Sequence, residues 1–187
     1  MASTSNIGVG KPQRSGAICY AERTSSLVLP TAPNTSTPAG FTELGFVSED
    51  GVSNDNSPES DKKKSWGGAT VNTSQTEKPD TWKFTLIEAT NVEVLKMLYG
   101  KTNVTTDDSS HVTKVEATTD EMPAYAFTID MIVNGKAKTI VIPNAKISEI
   151  GEITYKDDEL VQYEITVEAL PDPDNTTKEC THYEYIQ

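Results

Sequence analysis

The dipeptide Asn134-Gly135 is the strongest constraint on the fold, because it separates two stretches in which apolar and polar residues alternate. Asn-Gly is favoured in the two-residue turns of β-hairpins, where both central residues take a positive φ. The stretch from Lys136 to Ile142 follows the turn. The stretch before it carries apolar residues at every second position: Tyr125, Phe127, Ile129, Met131 and Val133. This pattern predicts an antiparallel hairpin with one buried face.

Other segments carry strand signals, and one carries the signals of a helix. In Thr81–Leu86, aromatic residues and leucine fall on a single face. A capping box, Thr90-Asn91-Val92-Glu93, opens the segment 91–99, and Gly100 closes it, which predicts a short helix. Further strands are predicted at 17–21, 41–47, 147–155 and 161–168. We therefore expect a mostly β fold, an antiparallel sandwich or barrel with one short α-helix.

The chain divides into three parts by composition. Residues 1–40 are rich in Ser, Thr, Gly and Pro and predict an extended arm with one short strand. Residues 41–175 hold the β-domain, and 176–187 form a short polar tail. Within the domain, residues 52–64 have no core-forming residue after Val52, so we expect a long exposed loop there.

The charge balance narrows the classes of function. Sixteen basic and 28 acidic residues give a formal net charge of −12, which repels phosphate and argues against a module that grips nucleic acid. No long apolar run is present, so we expect no membrane-spanning helix. The first residues lack the apolar core of a secretory signal, and two cysteines are too few for a disulfide scaffold. We expect a protein made in a reducing cytoplasm.

None of the motifs that resemble sites is complete. Residues 8–11 read GVGK, but Pro12 stands where a phosphate loop needs Ser or Thr. His111 and His182 are the only histidines and have no partner ligands nearby in the sequence. Asp172 and Asp174 alternate as calcium ligands do, without the glycine and glutamate of an EF-hand loop. We predict no catalytic, cofactor or metal site, and no enzyme activity.

Most of the negative charge lies near the C-terminal end. Residues 144–187 contain three lysines and eleven Asp and Glu residues. In the strand predicted at 161–168, the polar residues Gln162, Glu164, Thr166 and Glu168 alternate with the apolar residues and so occupy the opposite face. That face is either an ordinary solvated surface or an acidic surface suited to a partner or a conduit.

An ordered series of segments resembles a known family. The series is VGKP, FTELGFVSEDGV, WGGATV, WKFTLIEATNVEVLKMLYG and VIPNAKISEIGEITYKDDELVQYEITVEALPD. It resembles the major tail proteins, or tail tube proteins, of long-tailed, non-contractile bacteriophages that infect Gram-positive bacteria. The resemblance runs from the N-terminal arm to Pro173.

The resemblance implies two packed antiparallel sheets flanked by a helix, in a subunit that forms hexameric rings. Stacked rings would make a hollow tube, with genome DNA passing through as unbound cargo. It also implies tape measure, tail terminator and distal tail proteins as partners. The location would be the virion, after assembly in the host cytoplasm and with no membrane contact. Some relatives carry an added immunoglobulin-like domain, which we do not expect after Asp174.

The resemblance also suggests roles for surface residues. Candidates for contacts between rings lie in the predicted loop: Asn54, Asp55, Glu59, Asp61, Lys62, Lys63 and Lys64. Candidates for the channel or its rims are the acidic residues Asp157, Asp158, Glu159, Glu164 and Glu168. Candidates for a subunit interface lie on the predicted helix: Val92, Leu95, Leu98 and Tyr99.

Two other functions fit a β-rich chain of this kind. A β-sandwich binding module, such as an adhesin or a receptor-binding domain, would need an export signal or an anchor. A tube protein of the type VI secretion kind would carry effectors instead of forming part of a virion.

Overall fold

The structure is a computed structural model in which residues 7–187 are described. Within that range the chain forms thirteen strands and one α-helix. The elements are β1 (Gly10–Pro12), β2 (Ile18–Glu22), β3 (Thr42–Glu43), β4 (Val47–Asp55), β5 (Glu59–Lys64), β6 (Thr70–Glu77), β7 (Thr81–Leu86), α1 (Val92–Tyr99), β8 (Val104–Thr106), β9 (Val112–Val115), β10 (Tyr125–Val133), β11 (Lys136–Ile150), β12 (Tyr163–Ala169) and β13 (Tyr183–Ile186).

Nine strands form one antiparallel sheet in the order β3-β2-β10-β11-β12-β7-β4, with β1 paired to β10 and β13 paired to β11. The long strand β11 joins the two halves of this sheet. Its first part pairs with β10 and β13, and residues 145–150 pair with β12. Strands β5 and β6 form a separate two-stranded sheet, as do β8 and β9.

The two halves of the sheet pack against each other. Phe84 on β7 and Phe127 on β10 have ring centroids 6.1 Å apart, although β11 and β12 lie between those strands in the sheet. The sheet must therefore fold over, with its largest buried side chains between the halves. This confirms the prediction of a mostly β, antiparallel fold. In the described part of the chain, β3 and β4 are the ends of an open path, so the sheet does not close into a barrel.

The predicted hairpin and helix are both present. Asn134 and Gly135 have φ values of 54° and 76°, as their turn requires. Asn91 caps α1, its side chain accepting a hydrogen bond from the Glu93 backbone N–H at 2.9 Å. The helix ends at Gly100, whose backbone N–H donates to the Lys96 carbonyl. No helix within residues 7–187 is long and apolar enough to cross a membrane.

The described part of the N-terminal arm packs on the second face of β10. Asp130 on that face has a fully buried side chain. It accepts hydrogen bonds from Arg14 at 2.7 Å, Asn34 at 3.0 Å and Thr139 at 2.7 Å. These bonds tie two points of the arm to the sheet. The predicted short strand of the arm is β2, and residues 1–6 of the predicted arm lie outside the described residues.

The predicted loop at 52–64 is wrong. Residues 52–55 belong to β4, and β5 pairs with β6 in a hairpin whose side chains are all exposed. The segment has no apolar alternation because neither face of this hairpin packs on the body. Its backbone groups are instead satisfied by pairing between its own two strands.

Three other predicted segments also differ from the strands in the structure. The strand predicted at 41–47 is interrupted, because Gly45 takes a φ of +78° between β3 and β4. The predicted strand at 136–142 and the first part of the one predicted at 147–155 belong to a single strand, β11, which continues through Pro143 and ends at Ile150. Residues 151–155 are outside it. The tail 176–187 contains β13, which pairs with β11.

Candidate assembly surfaces

The hairpin β5–β6 projects from the domain as an arm, residues 59–77, which we call the basic arm. Every residue of both strands is exposed. At its tip, the Ser65 backbone N–H donates to the Ala69 carbonyl, and Gly68 takes a φ of +83°. Trp66 lies at this tip with its side chain fully exposed. A fully exposed tryptophan is unusual, and this residue type is enriched at the energetic centres of protein interfaces.

The outer half of the basic arm differs in charge from the rest of the chain. Residues 62–73 contain three lysines and no acidic residue. The remaining residues therefore hold 13 basic and 28 acidic side chains. A positively charged projection on an otherwise acidic protein favours contact with another copy of the same chain.

The sheet half formed by β11, β12, β7 and β4 has one buried face and one polar face. Residues that are Cα partners on antiparallel strands point to the same side of a sheet. Glu164 faces Thr85, Thr166 faces Lys83, and Glu168 faces both Thr81 and Lys146. We call this surface the polar face: Ser53, Asp55, Thr81, Lys83, Thr85, Lys146, Glu164, Thr166 and Glu168. Its side chains are exposed or half-buried, and Lys83 forms an ion pair with Glu164.

Residues 150–162, which we call the acidic loop, run from the last residue of β11 to the start of β12. They contain four acidic residues, Glu152, Asp157, Asp158 and Glu159, and one lysine, Lys156, which pairs with Glu159 at 2.9 Å. Three apolar side chains in the same loop are exposed: Ile150 (41%), Tyr155 (74%) and Leu160 (70%). The loop therefore combines negative charge with apolar surface that nothing in its own subunit covers.

The structure separates the acidic candidates into two places. Glu164 and Glu168 lie on the polar face, and Asp157, Asp158 and Glu159 lie in the acidic loop at one end of the same strands. Sequence reasoning found these acidic residues from the charge count. It missed the exposed apolar side chains of Tyr155, which ends the strand predicted at 147–155, and of Leu160, which lies between two predicted strands.

The candidates for contacts between rings lie on two different strands, β4 and β5. Glu59, Asp61, Lys62, Lys63 and Lys64 all lie on β5 of the basic arm.

Asn54 differs from them, because its side-chain amide donates to Asp80 Oδ1 at 2.7 Å within its own subunit. Asp55 lies next to it at the end of β4. Asn54 therefore helps to hold the base of the arm, and a contact of Asn54 with another ring stays a prediction. In the sequence, Trp66 followed by two glycines marks the turn at the arm tip. The sequence analysis did not identify Trp66 as a candidate contact residue.

The helix candidates require a further correction. Leu95 and Leu98 are 6% and 4% exposed and belong to the core of their own subunit. They are not available for a subunit interface, because residues 94, 95, 97 and 98 form the stripe that α1 packs inward. Val92 and Tyr99 are half-buried and remain candidates.

A buried polar cluster lies at the base of the basic arm, around Asp80. This carboxylate accepts hydrogen bonds from His182 Nδ1 at 2.5 Å, Thr181 Oγ1 at 2.6 Å and Asn54 Nδ2 at 2.7 Å. Burial works to raise the pKa of Asp80, but these hydrogen bonds lower it overall. The hydrogen bond to Asp80 raises the pKa of His182.

This cluster stabilises the fold, because its hydrogen bonds join the chain that leads into β13 to the residue before β7. Among residues 7–187, no group of three or more His, Cys, Asp or Glu side chains is arranged to hold a metal ion.

Residues 14–183 match the family model described as phage tail tube protein. No curated protein sequence matches the chain. Among solved structures, the cryo-EM structure of the anti-feeding prophage cap (AFP tube terminating cap) is similar, with 8% sequence identity and 100% of both chains covered. Its TM-score is 0.38, too low to support a conclusion about fold or function. The family match, in contrast, covers most of the chain.

Proposed function

The chain belongs to the phage tail tube protein family, and on that premise we propose that its copies assemble into hexameric rings that stack into the hollow tube of a phage tail. Membership of the family makes the protein a structural component of the tail. The observation that carries the finer proposal is the basic arm. It is a β-hairpin with fully exposed side chains, and its outer half, residues 62–73, is positively charged whereas the rest of the chain is acidic, so the arm is suited to another copy.

We further propose that the polar face lines the channel of this tube. A channel wall must remain hydrated and must not bind the DNA that moves past it. The polar face meets the first condition because its side chains are Ser, Thr, Lys, Asp and Glu. It meets the second because acidic side chains such as Glu164 and Glu168 repel phosphate. In this arrangement Asp157, Asp158 and Glu159 lie at the rim.

The arm provides the contact between rings, through Lys62, Lys63 and Lys64 and their neighbours Glu59, Asp61 and Asp55. Val92 and Tyr99 contribute to contacts within a ring. Such a subunit needs no catalytic residue and no cofactor.

The resemblance of the segment series supports a long, non-contractile tail of a phage that infects Gram-positive bacteria. The tube would enclose the tape measure protein during assembly in the host cytoplasm. Tail terminator and distal tail proteins would meet its two ends, and genome DNA would pass through it at infection.

Negative-stain electron microscopy of the purified protein at increasing concentration tests this function. We expect tubes of uniform width with a central hole, and sixfold symmetry in averaged end views. Strict monomers at high concentration would contradict the proposal. Rings of another symmetry would contradict the hexamer while leaving self-assembly intact.

A further inference from the structure

We propose that the basic arm of one subunit binds the acidic loop of the subunit stacked above or below it, with Trp66 seated against the loop's exposed apolar side chains. This inference rests on the proposed function, because it requires subunits to stack. It goes further by naming the acceptor surface and by giving Asp157, Asp158 and Glu159 the role of binding an arm.

The two surfaces are complementary in charge. The outer half of the arm, residues 62–73, carries a formal charge of +3. The acidic loop carries four acidic residues and one lysine, a formal charge of −3. Exposed ion pairs are individually weak, so charge alone sets the orientation and the rate of encounter more than the affinity.

The two surfaces also match in apolar character. Trp66 and Val71 are exposed on the arm, and Tyr155, Leu160 and Ile150 are exposed in the acidic loop. The loop forms a shallow cavity of about 280 Å³, lined in part by Leu160. A tryptophan seated against such side chains would supply most of the affinity, as aromatic anchors do in other interfaces.

The placement of the two surfaces fits stacking in a single direction. The arm leaves the sheet beside Thr81, which pairs with Glu168 at the end of β12. The acidic loop leads into Tyr163, which pairs with Leu86 at the start of β12. The arm and the loop therefore lie at opposite ends of the same strands, about 20 Å apart at about 3.3 Å per residue.

A contact between opposite ends of two copies is heterologous, and repeating it produces an open stack instead of a closed dimer. Within one subunit, the structure keeps the arm exposed along its whole length instead of folding it onto its own loop. The acceptor is thus left free for a second copy.

Two other surfaces fit the arm less well. The cavity beside Ile7, Val9 and Ile132 is apolar, but its charged lining residue is Lys11, which repels the arm. The cavity at the base of the arm is lined by Glu77, Glu168 and Glu179, but large exposed apolar side chains are lacking among its lining residues. Of these three surfaces, the acidic loop alone offers both negative charge and large exposed apolar side chains.

Site-directed crosslinking tests the contact. The test protein carries Ser65→Cys at the arm tip, Asp158→Cys in the acidic loop and Cys180→Ser to remove the native half-exposed thiol; Cys19 is fully buried. With a short bis-maleimide, we expect a ladder of crosslinked multimers under conditions that give tubes. Either cysteine alone should give no ladder. A matched control pairs Ser65→Cys with Lys11→Cys at the apolar cavity.

Charge reversal provides a second, independent test. We expect Lys62→Glu, Lys63→Glu and Lys64→Glu together to raise the concentration needed for polymerisation about tenfold or more. Asp157→Lys, Asp158→Lys and Glu159→Lys together should do the same, and combining both sets should restore assembly. The control reverses three exposed acidic residues elsewhere, Asp108, Asp120 and Glu179, and should not rescue the lysine variant.

The outcomes separate this inference from the function on which it rests. Tubes without a Ser65–Asp158 ladder, or a ladder only with Lys11→Cys, would overturn the inference and leave the tube function standing. Absence of any polymer from the native protein would overturn both. Circular dichroism of each variant checks that it is folded, and Trp66→Ala gives a single-residue variant whose normal assembly would also count against the contact.

Discussion

His182 and Asp80 lie 102 residues apart in the chain, yet the Nδ1 atom of His182 is 2.5 Å from Oδ2 of Asp80. The His182 ring also packs edge-on against Trp82, with centroids 5.3 Å apart. The pair joins the chain entering β13 to the start of β7. It therefore stabilises the base of the basic arm.

This pair should make stability depend on pH. The hydrogen bond to Asp80 raises the pKa of His182 in the folded state. The stability that the protonated His182 ring contributes is therefore fully present below the ordinary pKa of 6.5, and it is lost as the pH rises through the raised pKa. The pKa of Asp80 is lowered, so the stability that its ionised carboxylate contributes is lost only at strongly acidic pH. Glu184 also raises the pKa of His182, and Lys138 opposes it.

We expect His182→Gln to lower the free energy of unfolding most near pH 6, with the loss shrinking toward about pH 9. Urea unfolding across this range measures it. His111→Gln is the control, since His111 lies on an exposed turn. A His182→Gln loss that does not vary with pH would contradict the argument.

The Asp130 anchor should hold the described part of the N-terminal arm on the sheet. Asp130→Ala leaves Arg14 without its buried partner, so we expect a loss of about 3 kcal/mol in the free energy of unfolding and faster proteolysis between Arg14 and Asn34. Asp174→Ala removes an exposed carboxylate paired with Arg23 and should cost ~1 kcal/mol or less. Equal losses in the two variants would show that burial of Asp130 has no special effect.

Much of the fold was predictable because local signals agreed with tertiary packing. The hairpin at Asn134-Gly135, the alternation in Thr81–Leu86 and the capped helix each carry their own turn or cap residues. Two separate strands were predicted on either side of Pro143, at 136–142 and 147–155. In the structure, the pairing of β10 with β11 shifts register close to this residue, and such an irregularity accommodates a proline within a strand.

The assembly surfaces were harder to predict, for a physical reason. The basic arm has no buried face, so the periodicity that marks a strand is absent from residues 59–77. The strand β13 and the contact of His182 with Asp80 depend on partners far away in the chain. The charge count did identify the acidic residues, but only strand pairing separates Glu164 and Glu168 from the acidic loop.

The helix offers a test of core assignment. Leu95 is 6% exposed, so Leu95→Ala should lower the free energy of unfolding by about 2–5 kcal/mol. Val92→Ala, at a half-buried position one turn earlier, should cost clearly less. Chemical denaturation of the unassembled protein measures both. Similar small losses at the two positions would show that Leu95 does not pack in the core.

The polar face offers a test of the channel. Glu164→Lys with Glu168→Lys should leave the subunit folded, since changes at exposed strand positions usually cost little. Phage particles built with this variant should release DNA more slowly, because the wall would attract phosphate. Release kinetics after triggering ejection measure the effect, with Glu179→Lys and Asp108→Lys as the control. Unchanged release would place the polar face away from the channel.

The most direct test of the whole account removes the basic arm. Asp55 and Thr81 are Cα partners on β4 and β7, so deleting residues 59–77 leaves a short loop between strands that already pair. Negative-stain electron microscopy then compares this variant with the native protein at equal concentration. We predict uniform tubes from the native protein and only folded, unstacked subunits or rings from the variant. Normal tubes from the arm-deleted protein would contradict the account.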